Sequence, residues 1–280
     1  MTGTFKKAAV AGAVALAFSA SAFAVPITNG IVSADVNASG TFASLSYLGN
    51  EFVAWGSPMS YYWLTSSAGT AVANNASSTN PLGATTFGGG TFTFTSNSGG
   101  LVFNETVSLI GNKAVVGVSL TNTTGSAITG VQWSTGIDPD QGMPTTFATA
   151  NSIVGQGGAA EVKATSIYSP MNSVTLRNTT SSGAYTIKAY IDGTCCSPVD
   201  PVSILGGPTQ GIGSYGFADD SISLAYDIGT IAAGTSASVG YEYVFSTTPV
   251  PEPETYAMLL AGLGLMGFVA RRRKQRAVAI

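Results

Sequence analysis

Tyr185-Thr186-Ile187-Lys188-Ala189-Tyr190-Ile191-Asp192 alternates residue by residue. Tyr185, Ile187, Ala189 and Ile191 share one face, and Thr186, Lys188, Tyr190 and Asp192 share the other. A two-residue period is the signature of a strand with one face on a core. The same period recurs on both sides of this stretch. Ile222, Leu224, Tyr226 and Ile228 repeat it downstream, as do Tyr241, Tyr243 and Phe245. Upstream, Val116, Val118 and Leu120 share a face, and Phe92 and Phe94 oppose Thr91, Thr93 and Thr95. Aromatic and β-branched side chains suit such pleated, half-buried surfaces. No amphipathic helical stretch of useful length interrupts the pattern between residues 25 and 249.

The expected fold class is all-β: a large antiparallel two-sheet β-sandwich of about 12–14 strands. The count suits it better than a seven-stranded immunoglobulin type. Strands are expected near 27–36, 41–48, 51–55, 60–65, 91–96, 101–110, 114–122, 128–137, 150–155, 161–168, 173–179, 184–191, 221–231 and 237–246. Gly49-Asn50, Gly111-Asn112 and the stretch from Asn122 to Ser126 read as hairpin turns. Three loops break the rhythm, at residues 66–90, 138–150 and 193–220. The first is rich in Ala, Ser, Thr, Asn and Gly and is expected to be mobile.

The loops hold the best polar clusters, Asp138-Pro139-Asp140 and Asp219-Asp220. Each lies at the end of a strand-like run. Three readings are open. These carboxylates can be turn residues and solvated charges, oxygen ligands of Ca²⁺, or a general acid and base for glycoside cleavage. Trp55, Tyr61, Tyr62, Trp63 and Trp133 are candidates for a glycan platform, although aromatics on alternating strands more often belong to a core. Cys195 and Cys196 are adjacent, so pairing them closes no long loop. A vicinal disulfide, free thiols and pairing with a second chain all remain open.

The chain contains no histidine. This removes the Ser-His-Asp triad, the Cys-His dyad and His-ligated metal sites, and the expectation is a body that is not an enzyme. Between residues 25 and 249 four basic residues (Lys113, Lys163, Arg177 and Lys188) face twelve acidic ones, a net charge of −8. Such a surface argues against nucleic acid and anionic membranes as partners and favours cations and neutral polymers.

The basic residues collect at the two ends. Lys6-Lys7, an apolar run over 8–18 and Ala22-Phe23-Ala24 make a positive n-region, an h-region and an A-x-A cleavage site. Residues 1–24 are therefore expected to be a signal peptide, with a helical h-region, cut after Ala24 and exported by the Sec machinery. The body then spans 25–249. Near the C-terminus, Pro251-Glu252-Pro253 is followed by an uncharged run over 256–270 and by Arg271-Arg272-Arg273-Lys274-Gln275-Arg276. At ~1.5 Å per residue a helix over the run covers roughly 22 Å, somewhat short of the ~30 Å hydrocarbon core. Snorkelling arginines and local thinning can close that gap. Arg271, Arg272, Arg273 and Lys274 are the expected cytoplasmic stop of this transmembrane helix.

This order of hinge, apolar helix and basic cluster over 250–276 resembles the PEP-CTERM sorting tail of Gram-negative bacteria. The resemblance implies that an exosortase recognises Pro251, Glu252 and Pro253 and removes the tail. It further implies transient anchoring in the inner membrane, then release to the cell surface or an exopolysaccharide or biofilm matrix. A secreted module that binds or cleaves carbohydrate and a permanently anchored periplasmic protein are the alternatives. A second resemblance concerns the body. Asn29-Gly30 with the strand to Asp35, residues 41–48 and Gly49-Asn50-Glu51-Phe52 look like the opening of galactose-mutarotase-like supersandwich domains. The catalytic histidines of those enzymes are absent, so the resemblance implies architecture and not epimerase activity.

Overall fold

The computed structural model describes residues 25–247, apart from 38, 54–58, 75–84, 89–90, 142, 144, 169–170, 182 and 184, and also residues 260–263 and 265–266. The chain starts with Val25–Thr28 (β1), Val32–Val36 (β2), Phe42–Tyr47 (β3) and Asn50–Glu51 (β4). Ser60–Ser66 (β5), Gly69–Asn74 (β6), Thr85–Gly88 (β7) and Thr91–Ser98 (β8) follow. Leu101–Ile110 (β9), Lys113–Asn122 (β10) and Ile128–Ile137 (β11) are the long central strands. Next come Thr149–Gly155 (β12), Glu161–Thr165 (β13), Asn172–Asn178 (β14) and Thr186–Asp192 (β15). A short helix, Pro201–Gly206 (α1), precedes Gly213–Ala218 (β16), Ser221–Ile231 (β17) and Ser236–Thr247 (β18).

All pairings are antiparallel. A nine-stranded sheet in the order β16-β12-β13-β14-β18-β10-β9-β8-β7 faces a five-stranded sheet in the order β15-β17-β11-β5-β6. The sandwich expected from the alternation is thus present, and β1 to β4 add a third, small sheet at its side. Phe42 meets Tyr243 edge-on at 5.6 Å and Phe52 meets Phe245 at 4.9 Å, so the small sheet covers the end of β18. The main core lies between the two large sheets. Trp133 of β11 stacks on Tyr62 of β5 at 5.0 Å, and Phe103 of β9 meets both rings edge-on at 5.2 and 5.8 Å. Such pairs contribute about 0.5–1.5 kcal/mol beyond their burial.

The five-stranded sheet is covered on its other face as well. Residues Ser221 to Tyr226 are all buried, because α1 and the loop around it pack against the side away from the core. Asp200 caps α1 by accepting from the Val202 N–H at 2.9 Å. Lys188 donates to the carbonyls of Leu205 and Gly207 at the far end, at 2.8 and 2.7 Å. A cation there satisfies orphan carbonyls and complements the helix dipole. Side-chain amides occupy the open edge of β15. Gln156 exchanges two hydrogen bonds with the backbone of Ala189, and Gln210 two with Ile191. The edge is thereby closed to further strands.

Some local expectations are corrected. The loop at 66–90 carries β6 and β7, because Ala71 and Ala73 face inward and side chains that small leave no visible period. β16 lies inside the loop at 193–220. The stretch from Asn122 to Ser126 is not a hairpin: β10 and β11 belong to different sheets. Buried Asn122 shapes that crossing, donating to the carbonyls of Ser126 and Ile231 and accepting from Thr124. The first turn is centred on Leu48 and Gly49, both at positive φ, rather than on Gly49 and Asn50.

Candidate functional site

Two crossings between the large sheets meet at one end of the sandwich. The chain leaves β11 at Ile137 and reaches β12 at Thr149. It leaves β16 at Ala218 and enters β17 at Ser221. Ile137 is the register partner of Ile222, and Thr149 that of Ala218. These two pairings bring Asp138, Asp140 and Asp219 together, with one carboxylate oxygen from each lying within 4.8 Å of the others. Backbone bonds hold the first crossing in place. The Asp138 N–H donates to Met59 O at 2.9 Å and the Asp140 N–H to Phe52 O at 3.0 Å. Gly136 allows the close approach underneath, since a Cβ there would lie 2.5 Å from Ile222 O and 2.7 Å from the Tyr61 ring.

Asp138 and Asp140 are buried, at 3% and 1% exposure, and Gln141 beside them is at 7%. Among the described residues, Asp138 Oδ1, Asp140 Oδ1 and both polar atoms of Gln141 have no hydrogen-bond partner. Asp219 is exposed and forms the open side of the cluster. Asp220 stands next to it and accepts from Asn151 Nδ2 at 3.4 Å. Burial pushes the Asp138 carboxyl up to about 7, with the charges of Asp219 and Asp220 adding to the rise. Asp140 is pushed up to about 8, by burial first and then by Asp138 and Asp219. Asp219 is raised by its partial burial, and Asp220 likewise, against the lowering bond from Asn151. Carboxylates deprived of water and pressed together need a proton or a cation.

The structure sorts the remaining candidates. Tyr61, Tyr62 and Trp133 are core residues, at 1%, 2% and 0% exposure, and Trp63 is half-buried. The three buried rings, Tyr61, Tyr62 and Trp133, therefore form no glycan platform. Trp55 lies outside the described residues. Cys195 and Cys196 form a vicinal disulfide beside Asp138. Ala22 and Ala24, Pro251, Glu252 and Pro253, and Arg271, Arg272, Arg273 and Lys274 all lie outside the described residues. Of the apolar run, residues 260–263 and 265–266 are helical, and Leu260, Leu263, Leu265 and Met266 are exposed. Among the described residues no helix is long and apolar enough to cross a membrane.

One further acid, Glu105, and one amide, Gln141, are not singled out by the sequence. Glu105 of β9 sits in the core at 3% exposure. Its signal was available, because it occupies the apolar face between Phe103 and Val107. Gln141 gave no comparable signal.

Comparison with known proteins adds the following. Residues 249–274 match the PEP-CTERM protein-sorting motif. The chain therefore carries the signature of an exported protein that exosortase sorts. No curated protein matches the chain. Among solved structures it is similar to a polysaccharide lyase, at 15% identity and a TM-score of 0.46, over 83% of this chain and 34% of that one. It is similar to a heparan sulfate lyase from Pedobacter heparinus, at 11% and 0.43, over 79% and 34%. It is also similar to a galactose mutarotase-like protein from Lactobacillus casei, at 12% and 0.45, over 80% and 100%. The chain thus spans about a third of the two lyases. The mutarotase-like resemblance of the opening strands recurs in this set. The expectation that the body is not an enzyme is corrected, because the structures it resembles are named as enzymes. A missing histidine excludes only the chemistries that use one. At these identities and TM-scores no activity or residue role passes to this chain.

Proposed function

We propose that this chain is an exosortase-sorted protein of the cell surface or exopolysaccharide matrix, and that Asp138, Asp140 and Asp219 bind a hard divalent cation there, Ca²⁺ first. One observation carries the cation reading: two buried carboxylates with unpartnered oxygens converge on a third that faces water. Ca²⁺ takes six to eight oxygens in flexible geometry, and waters can fill positions on the Asp219 side. Oxygen-only ligands favour it over transition metals. The Gln141 side-chain carbonyl is the nearest reserve ligand in sequence. Magnesium, with its tighter octahedral shell, should bind less well.

Melting of the full chain in detergent, with Ca²⁺ against a chelator, tests the site. At free Ca²⁺ about 100 times the dissociation constant, linkage gives about 2.7 kcal/mol. For a body of this size that is a rise of about 5–10 °C. The Asp138→Asn, Asp219→Asn double variant should not respond. A melting curve that millimolar Ca²⁺ leaves in place removes the cation reading. Sorting has its own test. Alanines in place of Pro251-Glu252-Pro253 should leave the protein membrane-bound and about 3 kDa heavier, the mass of a ~30-residue tail. Normal release of that variant would defeat the sorting reading.

The protonation of the cluster supports a second reading, carbohydrate processing with Asp140 as proton donor. The acid is held up to about 8, where it still carries a proton at neutral pH. The convergent oxygens, within 4.8 Å, stand closer than the roughly 6.5–9.5 Å that inverting hydrolysis requires. Release of reducing ends from bacterial exopolysaccharide in the presence of chelator, lost in Asp140→Asn, would favour this reading over the cation.

A further inference from the structure

The Cys195–Cys196 disulfide follows β15, whose last residue, Asp192, pairs with Ser221 at the start of β17. That register sets the loop against the acid cluster. Cys195 holds a φ of 44°, uncommon for a residue other than glycine. Cys196 Sγ lies 3.7 Å from Asp138 Oδ2. A disulfide sulfur carries no proton, so this contact is not a hydrogen bond. Both sulfurs and one Asp138 oxygen lie within 4.8 Å of one another. Asp138 is 3% exposed, and among the described residues its other oxygen has no partner. Cys196 is exposed and Cys195 half-buried, so a small reductant can reach the bond.

We propose that reduction of Cys195–Cys196 turns this corner into a soft-metal site, with the two cysteine sulfurs and the Asp138 carboxylate as ligands for a thiophilic divalent ion of the Zn²⁺ or Cd²⁺ class. The step balances with a small dithiol: two electrons break the S–S bond, two protein thiols form, and the dithiol leaves as its own disulfide. Metal entry then displaces the two thiol protons. Three protein ligands leave the fourth tetrahedral position open for water. Asp138 belongs to both ligand sets. In the oxidised chain it is available to the hard cation together with Asp140 and Asp219. In the reduced chain it is shared with the sulfurs, so a soft metal should lower Ca²⁺ affinity. This competition rests on the cation reading above, whereas the soft site itself rests only on the cysteines and Asp138.

The experiment is a Cd²⁺ titration of the full chain in detergent, before and after treatment with a phosphine reductant, followed by thiolate-to-metal absorption in the ultraviolet. The phosphine leaves as its oxide, taking oxygen from water. No absorption is expected in the oxidised chain. After reduction the band should saturate at one Cd²⁺ per chain. It should vanish in the Cys195→Ser, Cys196→Ser double variant. In Asp138→Asn the midpoint should move at least tenfold toward weaker binding, and Asp138→Glu should recover part of that loss. Circular dichroism of the reduced chain and each variant confirms that the strands persist. Absence of the band after reduction, saturation at half a Cd²⁺ per chain, or Asp138→Asn binding as tightly as the parent would overturn the proposal. A Cd²⁺ band without any Ca²⁺ melting shift keeps the soft site and removes the hard one. A Ca²⁺ shift without the band does the reverse.

Discussion

Glu105 and the Asp138–Asp140 pair are both carboxylates taken out of water, and they differ in what surrounds them. Glu105 lies between the two large sheets. It accepts a bond from Tyr241 Oη at 3.4 Å, and among the described residues its Oε2 has no partner. Burial pushes it up to about 8, and the Tyr241 bond pulls slightly the other way. Tyr62, Tyr241 and Tyr243 are in turn raised, chiefly by burial, and the Glu105 charge adds to this. Among the described residues nothing opens this acid to solvent. Asp138 and Asp140 reach similar values at the rim, with other carboxylates beside them and one side open at Asp219. A raised carboxyl is therefore no mark of a site by itself. Glu105 can answer burial only by keeping a proton, whereas the rim cluster can exchange its protons for a cation.

That difference is open to attack first at the rim, where the largest effect is expected. Asp138 and Asp140 have folded pKa values of about 7 and 8 against an ordinary 3.8. Their contribution to stability is full below about pH 4 and is lost as pH rises through about 7 to 8. In chelator, Asp138→Asn with Asp140→Asn should stabilise the chain at pH 8 by at least about 3 kcal/mol; the two shifts taken separately would give roughly 10 kcal/mol at about 1.4 kcal/mol per pKa unit, and the coupling of the two acids and water at the rim reduce this. Denaturant melts at pH 4 and pH 8 measure it. The gain should vanish at pH 4. Saturating Ca²⁺ should flatten the pH dependence of the parent, because the ion displaces those protons. A parent whose stability rises from pH 4 to pH 8 in chelator contradicts the burial of these acids.

Glu105→Gln is the matched change in the core. The amide keeps an acceptor for Tyr241 and carries no charge. Glu105 titrates at about 8 folded, against an ordinary 4.5. Its stability contribution is likewise full below about pH 4.5 and lost as pH rises through about 8. The variant should gain several kcal/mol at pH 9, up to about 5 at about 1.4 kcal/mol per pKa unit, and nothing at pH 4. Ca²⁺ should leave that gain unchanged. A Ca²⁺ dependence at Glu105 would erase the contrast between core and rim.

How far this contrast could be read in the sequence depends on the kind of information it needs. β15 and β17 announce themselves, since Ile187, Ala189, Ile191, Leu224 and Tyr226 alternate with polar neighbours and are buried as the period requires. β6 does not, because its inward residues are alanines. β16 does not, because its alternation is only two aromatics long, Tyr215 and Phe217, set among glycines and left exposed. The aspartate pairs were visible as residues on loops. Their convergence was not, because it depends on the long-range registers of Ile137 with Ile222 and Thr149 with Ala218. Tyr61 and Trp63 alternate correctly, yet the covering of their face by α1 follows from a loop whose path no local pattern encodes. Sequence periodicity shows which way a side chain points and says nothing about what lies opposite.

Tyr241→Phe is a smaller test on the core side. It removes the one hydrogen bond to the Glu105 carboxylate among the described residues, a long one, and with it the acceptor for Thr135 Oγ1 at 3.3 Å. The cost should be about 0.5–1.5 kcal/mol. Because the bond favours the charged form, its loss should raise the Glu105 pKa further. An infrared carboxylic-acid band that persists to higher pH than in the parent would show this.

The smallest effect on the fold is expected at Asp219, and it separates site from scaffold most cleanly. Asp219 is exposed, and no backbone bond in its crossing runs through its side chain among the described contacts. Surface replacements of this kind usually stay within about 0.5 kcal/mol. Asp219→Asn should therefore melt close to the parent in chelator, at pH 4 and at pH 8. Removing its charge also relieves repulsion on Asp138 and Asp140, so any shift at pH 8 should be toward higher stability. In Ca²⁺ the sign reverses. A carboxylate oxygen on the solvent side is lost, and affinity should fall about tenfold, or roughly 1.4 kcal/mol. The Ca²⁺-induced rise in melting temperature should shrink accordingly. The same substitution is then mildly stabilising without the ion and weakening with it. Equal behaviour in Ca²⁺ and in chelator would mean that Asp219 only borders the buried pair, and the open side of the cluster would lose its role.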